Sequence, residues 1–268
     1  MKYIVKMLLP FFIFSFVAIS CSTVAITGRK QLNIIPNSEM LSVSFQQYDE
    51  FMLANKLSAD GNNSNMVKRI GFNVQNAVQR YFAENNRAEQ LDGYNWEFNL
   101  IESADVNAWC MPGGKVVVYT GILPLTQDES GLAVVMGHEI AHAVAEHGNE
   151  RMSQILLTQL GGMALSEALS SQPQQTRNLW LGVYGLGAQV GVLLPYNRTQ
   201  ESEADRLGLV FMAMAGYDPK VAVGFWERME VQNQGQAPPE FLSTHPSDRT
   251  RIKDIKKNLP EAMKYFNK

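Results

Sequence analysis

Four histidines occur in the 268 residues, and two of them stand four apart in His138-Glu139-Ile140-Ala141-His142. On an α-helix, at 100° per residue, these two imidazoles point about 40° apart, so both can grip one tetrahedral cation. Glu139 lies beside them, placed to take a proton from water held at that cation. The flanking Leu132, Val134, Val135, Met136 and Val144 are apolar, so the helix is expected to be buried. Two buried histidines and a buried glutamate are costly unless a metal such as zinc engages them. The chemistry indicated is metal-assisted hydrolysis.

A catalytic zinc takes a third protein ligand and keeps one position open. His147 is nearest, but it sits about 140° around the helix from His142. It is expected at the helix end, beside a terminating Gly148, where a basic residue suits the helix dipole. The better source is Arg198-Thr199-Gln200-Glu201-Ser202-Glu203-Ala204-Asp205, in which Glu201 and Asp205 share a helix face. One of these carboxylates can bind the metal while the other, a turn away, holds a ligand imidazole. The fourth histidine, His245, lies in Ser243-Thr244-His245-Pro246-Ser247-Asp248. Pro246 restricts its backbone, Ser247 can cap the next helix, and Arg251 on that helix could approach the site. His245 could steady an oxyanion, visit the metal's open position, or only bond locally.

The elements that must position these groups are legible from periodicity. A helix is expected over 37–54, and a second is marked by the stripe Met66, Ile70, Val74, Val78 and Phe82. Alternation at Trp96, Phe98 and Leu100 predicts a strand. Two more are predicted at 106–109 and 115–120, broken by Pro112-Gly113-Gly114. From Asp128 onward the pattern is helical, with Asp218-Pro219 as an N-cap and first helical residue. The run from Leu179 to Tyr196 is almost wholly apolar and holds Gly182, Gly185, Gly187 and Gly191. Because Gln189 lies within it, the expectation is a buried helix packed through its glycines rather than a membrane-inserting one. The fold class is therefore α+β and mostly helical, with a small sheet.

Lys2 and Lys6 precede a largely apolar run from Met7 to Ile19 that ends at Ser20-Cys21. This reads as a secretion leader over 1–20, too short to be a good membrane span. Ala18-Ile19-Ser20-Cys21 resembles a bacterial lipobox, which implies acyl chains on Cys21. Ser22 in place of Asp then suggests an outer-membrane lipoprotein facing the periplasm of a Gram-negative bacterium. Residues 21–36 are expected to be a lipid-anchored tether and 37–268 a single domain. With two cysteines there is no disulfide framework, and Cys110 reads as a small apolar residue rather than a nucleophile. The net charge of −3 becomes more acidic without the leader's two lysines. No basic excess exists to neutralise phosphates, so nucleic acid is disfavoured as a partner.

Taken together, these blocks resemble the zinc metallopeptidases grouped with HtpX and the CaaX prenyl proteases, most closely Oma-type and LoiP-like members, over roughly residues 24–260. The resemblance is carried by Gly28-Arg29-Lys30-Gln31-Leu32, Asn107-Ala108-Trp109-Cys110-Met111-Pro112-Gly113-Gly114, His138-Glu139-Ile140-Ala141-His142, Glu201-Ser202-Glu203-Ala204-Asp205 and Ser243-Thr244-His245-Pro246-Ser247. It implies His138, His142 and Glu201 as zinc ligands, Glu139 as catalytic base and Asp205 in support. It also implies a zincin-like (gluzincin) fold with a small mixed sheet, whose edge strand lines the cleft.

The expected function is a zinc-dependent endopeptidase acting on unfolded or misassembled envelope proteins. An extended substrate would pair with an edge strand around Val116 to Tyr119, and His245 or Arg251 would steady the oxyanion. Two other readings are a chaperone or assembly factor with rare or latent proteolysis, and a structural lipoprotein scaffolded by zinc.

Overall fold

The computed structural model describes residues 21–24, 27–189, 194–232, 241, 245 and 249–266. The expected leader and the flanks of His245, including the proposed cap Ser247, lie outside the described residues. Two compact units are present: Met1–Pro36 with Glu146–Asn197, and Asn37–Ala145 with Arg198–Lys268.

In the larger unit, α1 (Asn37–Ala54) has the expected limits. Helix α2 (Gly61–Glu84) begins before its apolar stripe, because Asp60 accepts a hydrogen bond from the Asn63 amide at 3.0 Å and caps it. Ile70, Val74, Val78 and Phe82 are buried as the spacing predicts. Met66 is only half-buried, and Val67 takes its place in the core.

Three strands follow: β3 (Glu97–Ile101), β4 (Ala108–Met111) and β5 (Lys115–Tyr119), in the order β3-β5-β4. β3 runs parallel to β5, pairing Phe98 with Val116, and β4 runs antiparallel to it, pairing Trp109 with Val117. The sheet is thus small and mixed. The expectation that residues 116–119 form an edge is corrected: β5 has a neighbour on both sides, and β4 is the edge strand on one side. The turn joining β4 to β5 needs glycine twice over. Gly113 and Gly114 have φ of 89° and 85°, and a Cβ on either would strike the Phe45 or Trp96 ring.

Helix α3 (Glu129–Val144) starts where Asp128 accepts from the Gly131 amide at 2.8 Å. It is buried along nearly its whole length, as its composition requires. Helix α6 (Leu194–Met214) crosses it at a glycine pair. A Cβ on Gly208 would lie 2.9 Å from the backbone of Gly137 and His138, and one on Gly137 would lie 3.0 Å from the Gly208 carbonyl oxygen. Two hydrogen side chains let the backbones touch. Helix α7 (Val221–Gln232) begins two residues later than Asp218-Pro219 suggests, because the Asp218 carboxylate accepts from the Lys220 amide and shapes a separate turn. Helix α8 (Arg249–Phe266) closes the unit.

The smaller unit holds the antiparallel pair β1 (Cys21–Thr23) and β2 (Lys30–Leu32), with helices α4 (His147–Ala168) and α5 (Gln174–Ala188). Residues 21–36 bond onto the start of α4. Arg29 makes a bidentate ion pair with buried Glu150 at 2.6 and 2.8 Å, the Ile34 amide donates to Ser153, and Asn149 donates to the Ile35 carbonyl.

Two expectations fail here. Gly148 does not terminate the helix carrying the two histidines. The chain turns at Glu146, which takes the left-handed conformation (φ 59°) while Asn33 donates to its carboxylate at 2.5 Å. His147 therefore opens α4 and is buried, at the helix end where the dipole disfavours a cation. The described part of the 179–196 run is not buried either: α5 exposes Leu179, Trp180, Val183 and Leu186. Its glycines at 182, 185 and 187 have open space where a Cβ would stand. The close approach is made from α4, where Gly161 receives the Tyr184 hydroxyl, which donates to the Thr158 carbonyl at 2.9 Å. Among the described residues no helix is long and apolar enough to cross a membrane.

The glycine crossing is testable by denaturant unfolding. Gly208→Ala should cost about 1–3 kcal/mol because backbone must move to admit the methyl group. Gly182→Ala, in open space on a helix, should instead be neutral or stabilising by up to about 1 kcal/mol.

Candidate metal centre

The crossing of α3 and α6 brings Glu201 against the histidine pair. Nε2 of His138 lies 3.1 Å from Nε2 of His142, 3.1 Å from Nδ1 of His245 and 3.4 Å from Oε2 of Glu201. Nε2 of His142 is 3.2 Å from Oε1 of Glu201, and Nδ1 of His245 is 3.1 and 3.0 Å from the two Glu201 oxygens. All four ligand atoms fall within 4.8 Å of one another.

An imidazole nitrogen carries one proton or one lone pair. Hydrogen bonding therefore cannot satisfy His138 Nε2 toward three partners, whereas a shared cation can. The spacing agrees. Ligand atoms about 2.0–2.1 Å from a tetrahedral zinc stand about 3.3 Å apart, and the contacts here run from 3.0 to 3.4 Å. The donor set fits zinc.

Around this cluster the other charges are arranged in order. Oδ1 of Asp205 lies 3.0 Å from Nδ1 of His138, on the side of the ring away from the cluster. Arg251 donates to both Asp205 oxygens, at 2.8 and 2.7 Å, and to the His245 carbonyl at 3.2 Å. Its guanidinium carbon stands 3.4 Å from the Trp226 ring centroid, a stacked cation–π contact. Arg251 is thus committed to Asp205, with one nitrogen 3.3 Å from Glu201. Among the described residues Oε1 of Glu139 is buried without a hydrogen-bond partner, and Nε2 of His245 lies 3.4 Å from it.

The proton affinities follow. Burial disfavours charge on His138, but its hydrogen bonds to Asp205 and Glu201 outweigh that and raise its pKa to about 9. Burial also opposes charge on Glu201, yet contacts with the three imidazoles hold its carboxyl far below the usual range. Asp205 is held low against burial by the Arg251 charge and by its bond to His138. Such a site draws positive charge, as a proton or a metal. Glu139 differs: burial pushes its carboxyl up, only partly opposed by His245 and His138. Burial and then the Glu139 charge push the Cys110 thiol well up, which keeps it protonated and inert.

Of the candidates named from the sequence for the metal site, His138, Glu139, His142, Glu201, Asp205, His245 and Arg251 lie in or against this cluster, and His147 is not among its ligand atoms. Sequence reasoning missed Trp226, which seats Arg251, and Phe241. The Phe241 ring lies 4.9 Å from that of His245, and its carbonyl accepts from the His245 amide at 2.9 Å. It also missed the glycine pair, although a glycine directly before His138 in an apolar helix was a readable hint of close backbone approach.

The profile described as Peptidase family M48 matches residues 72–259. The mitochondrial metalloendopeptidase OMA1 of Schizosaccharomyces pombe is 39% identical over 173 residues, covering 64% of this chain and 49% of that protein. The mitochondrial metalloendopeptidase OMA1 of Bos taurus is 34% identical over 263 residues, 96% of this chain and 49% of that protein. The beta-barrel assembly-enhancing protease of Escherichia coli K12 is 30% identical over 166 residues, 60% of this chain and 34% of that protein. The chain thus spans about half the length, or less, of the curated relatives it matches. M48 metallopeptidases are zinc-dependent and zincin-like in fold, and the cluster able to hold a metal and the small mixed sheet agree with this. The chain belongs to peptidase family M48.

Proposed function

We propose that this chain is a zinc-dependent endopeptidase of the bacterial cell envelope, tethered by acyl chains on Cys21, that cleaves unfolded or misassembled proteins. The observation that carries the catalytic part is the Glu139 carboxylate: buried, raised in pKa and, among the described residues, lacking a hydrogen-bond partner at Oε1, beside four side chains able to hold a metal. The export leader read from the sequence and the bacterial relative named for β-barrel assembly support the envelope setting. The mitochondrial relatives support the same chemistry in another compartment.

In this reading His138, His142 and Glu201 hold the metal. Zinc supplies Lewis acidity toward water and a peptide carbonyl. Glu139 takes the water proton and hands it to the departing amine. Asp205 fixes the tautomer of His138 by accepting from its Nδ1–H. Arg251 neutralises Asp205 and acts as a positioning residue. Its guanidinium is already engaged with Asp205, so steadying the oxyanion is assigned to His245 once that side chain moves. The substrate pairs with the outer edge of β4, and the effect of the Glu139 charge on Cys110 supports a position for that strand beside the base. Backbone pairing reads little sequence, so selection rests on the substrate being unfolded.

His245 stands at the fourth corner of the cluster, where an open position is required for turnover. The proposed resting state is therefore latched. The same observation favours the second reading, a chaperone or assembly factor with latent proteolysis.

Three outcomes are expected. Chelation should release one zinc per chain by metal analysis, lower the Tm and stop casein cleavage; full activity in the metal-free protein would refute the assignment. Glu139→Gln should keep the zinc while casein turnover falls by about 10²–10⁴-fold. If it still complements an envelope-stress phenotype, the chaperone reading replaces the peptidase one. His245→Ala should raise basal peptide cleavage if the latch is real, whereas lower cleavage would assign His245 to the transition state alone.

A further inference from the structure

The smaller unit carries an apolar surface that the catalytic reading does not use. On α5, Leu179, Val183 and Leu186 fall within about 60° of one another around the helix and are 65%, 53% and 68% exposed, with Trp180 beside them at 53%. On α4, Met152, Leu156, Leu160 and Met163 form a second exposed stripe. From residue 152 to 189 the sequence holds one acid, Glu167, and one base, Arg177. Leucine, valine and tryptophan exposed at this density mark a surface that meets something apolar. The absence of net charge argues against a partner recognised by ion pairs.

The position of this hairpin indicates what it meets. The chain before Cys21 is apolar from Met7 to Ile19. Whether that run is retained or replaced by acyl chains on Cys21, residue 21 leads toward lipid. Residues 21–36 are held to the first turns of α4 by the Arg29–Glu150 ion pair and the Ile34–Ser153 and Asn149–Ile35 bonds. The α4 stripe starts at Met152, among those same turns. Because Tyr184 packs against Gly161, α5 runs back along α4, so Leu186 lies toward that base.

We propose that the α4–α5 hairpin lies in the surface of a phospholipid bilayer, its apolar faces inserted among the acyl chains, as a second membrane contact beside the N-terminal anchor. Among the described residues neither helix is long and apolar enough to cross a membrane, and their exposed apolar stripes suit an interfacial contact. Trp180 suits the headgroup boundary, where an amphipathic ring is favoured. With no net charge in the hairpin, neutral lipid suffices and salt does not weaken the contact. This inference shares with the proposed function only the lipid tether and is independent of peptidase activity.

The test uses the full chain reconstituted with phosphatidylcholine vesicles, plain or dibrominated on the acyl chains. Flotation reports membrane attachment. The emission difference between wild type and Trp180→Phe reports the tryptophan on α5. That difference should fall roughly twofold in brominated vesicles, at low and high salt alike, as expected for an interfacial helix. A protein that floats without quenching at Trp180 overturns the hairpin contact while leaving the tether intact, and failure to float overturns the bilayer as its occupant. If Trp180 is shielded from both brominated lipid and aqueous acrylamide while the sedimenting mass doubles, a second copy covers the hairpin and the proposal is wrong. An unchanged Tm and far-UV circular dichroism spectrum for Trp180→Phe confirm that the variant is folded.

Discussion

One ring nitrogen of His138 faces His142, His245 and Glu201 at 3.1 to 3.4 Å, and the larger unit is built to hold it there. Three imidazoles and a carboxylate drawn this close lose most of their hydration, which is unfavourable for each alone. A divalent cation would offset that cost, because contacts of 3.0 to 3.4 Å among these atoms match the spacing of ligands around a tetrahedral zinc. The charge balance points the same way. Glu201 and Asp205 stay ionised despite burial, and the imidazoles answer them.

Rigidity in this centre comes from packing rather than from the ligands. α3 is buried nearly all round, so it cannot rotate His138 and His142 away from Glu201. α6 meets it through two glycines, which sets the depth at which Glu201 arrives. Behind the ligands, Asp205, Arg251 and Trp226 form a stacked and hydrogen-bonded column. Removing one partner of such a buried ion pair typically costs about 3–5 kcal/mol, so the column is as much a support as a neutralising device. Glu139 sits outside this satisfied network. Its raised proton affinity is the property a base needs near neutral pH.

The smaller unit follows a different logic. Its polar contacts are concentrated where residues 21–36 join α4, and its apolar residues face outward on the hairpin. The two helices meet where Tyr184 packs against Gly161, and their leucine, valine and methionine stripes stay exposed. This is why hydropathy alone misjudged the run after Leu179. A string of leucines and valines reads the same whether its partner is a protein core or lipid, since both are apolar.

The sequence by itself determined what local helix geometry determines. Residues four apart share a face, so the His138/His142 and Glu201/Asp205 pairs were readable as a metal grip and its support, whereas the caps Asp60 and Asp128 emerged only from the structure. Pro112-Gly113-Gly114 was readable as a turn because only glycine tolerates the φ values found there. The tertiary structure alone decided that β5 is the central strand and β4 an edge, that His245 enters the cluster rather than bonding only locally, and that Arg251 is held by Asp205 over Trp226. It also decided that the helix turns at Glu146 instead of at Gly148. These outcomes depend on contacts between residues tens of positions apart. The spacing of a helix or strand encodes its own faces, but it carries no information about which distant backbone will come to lie against them.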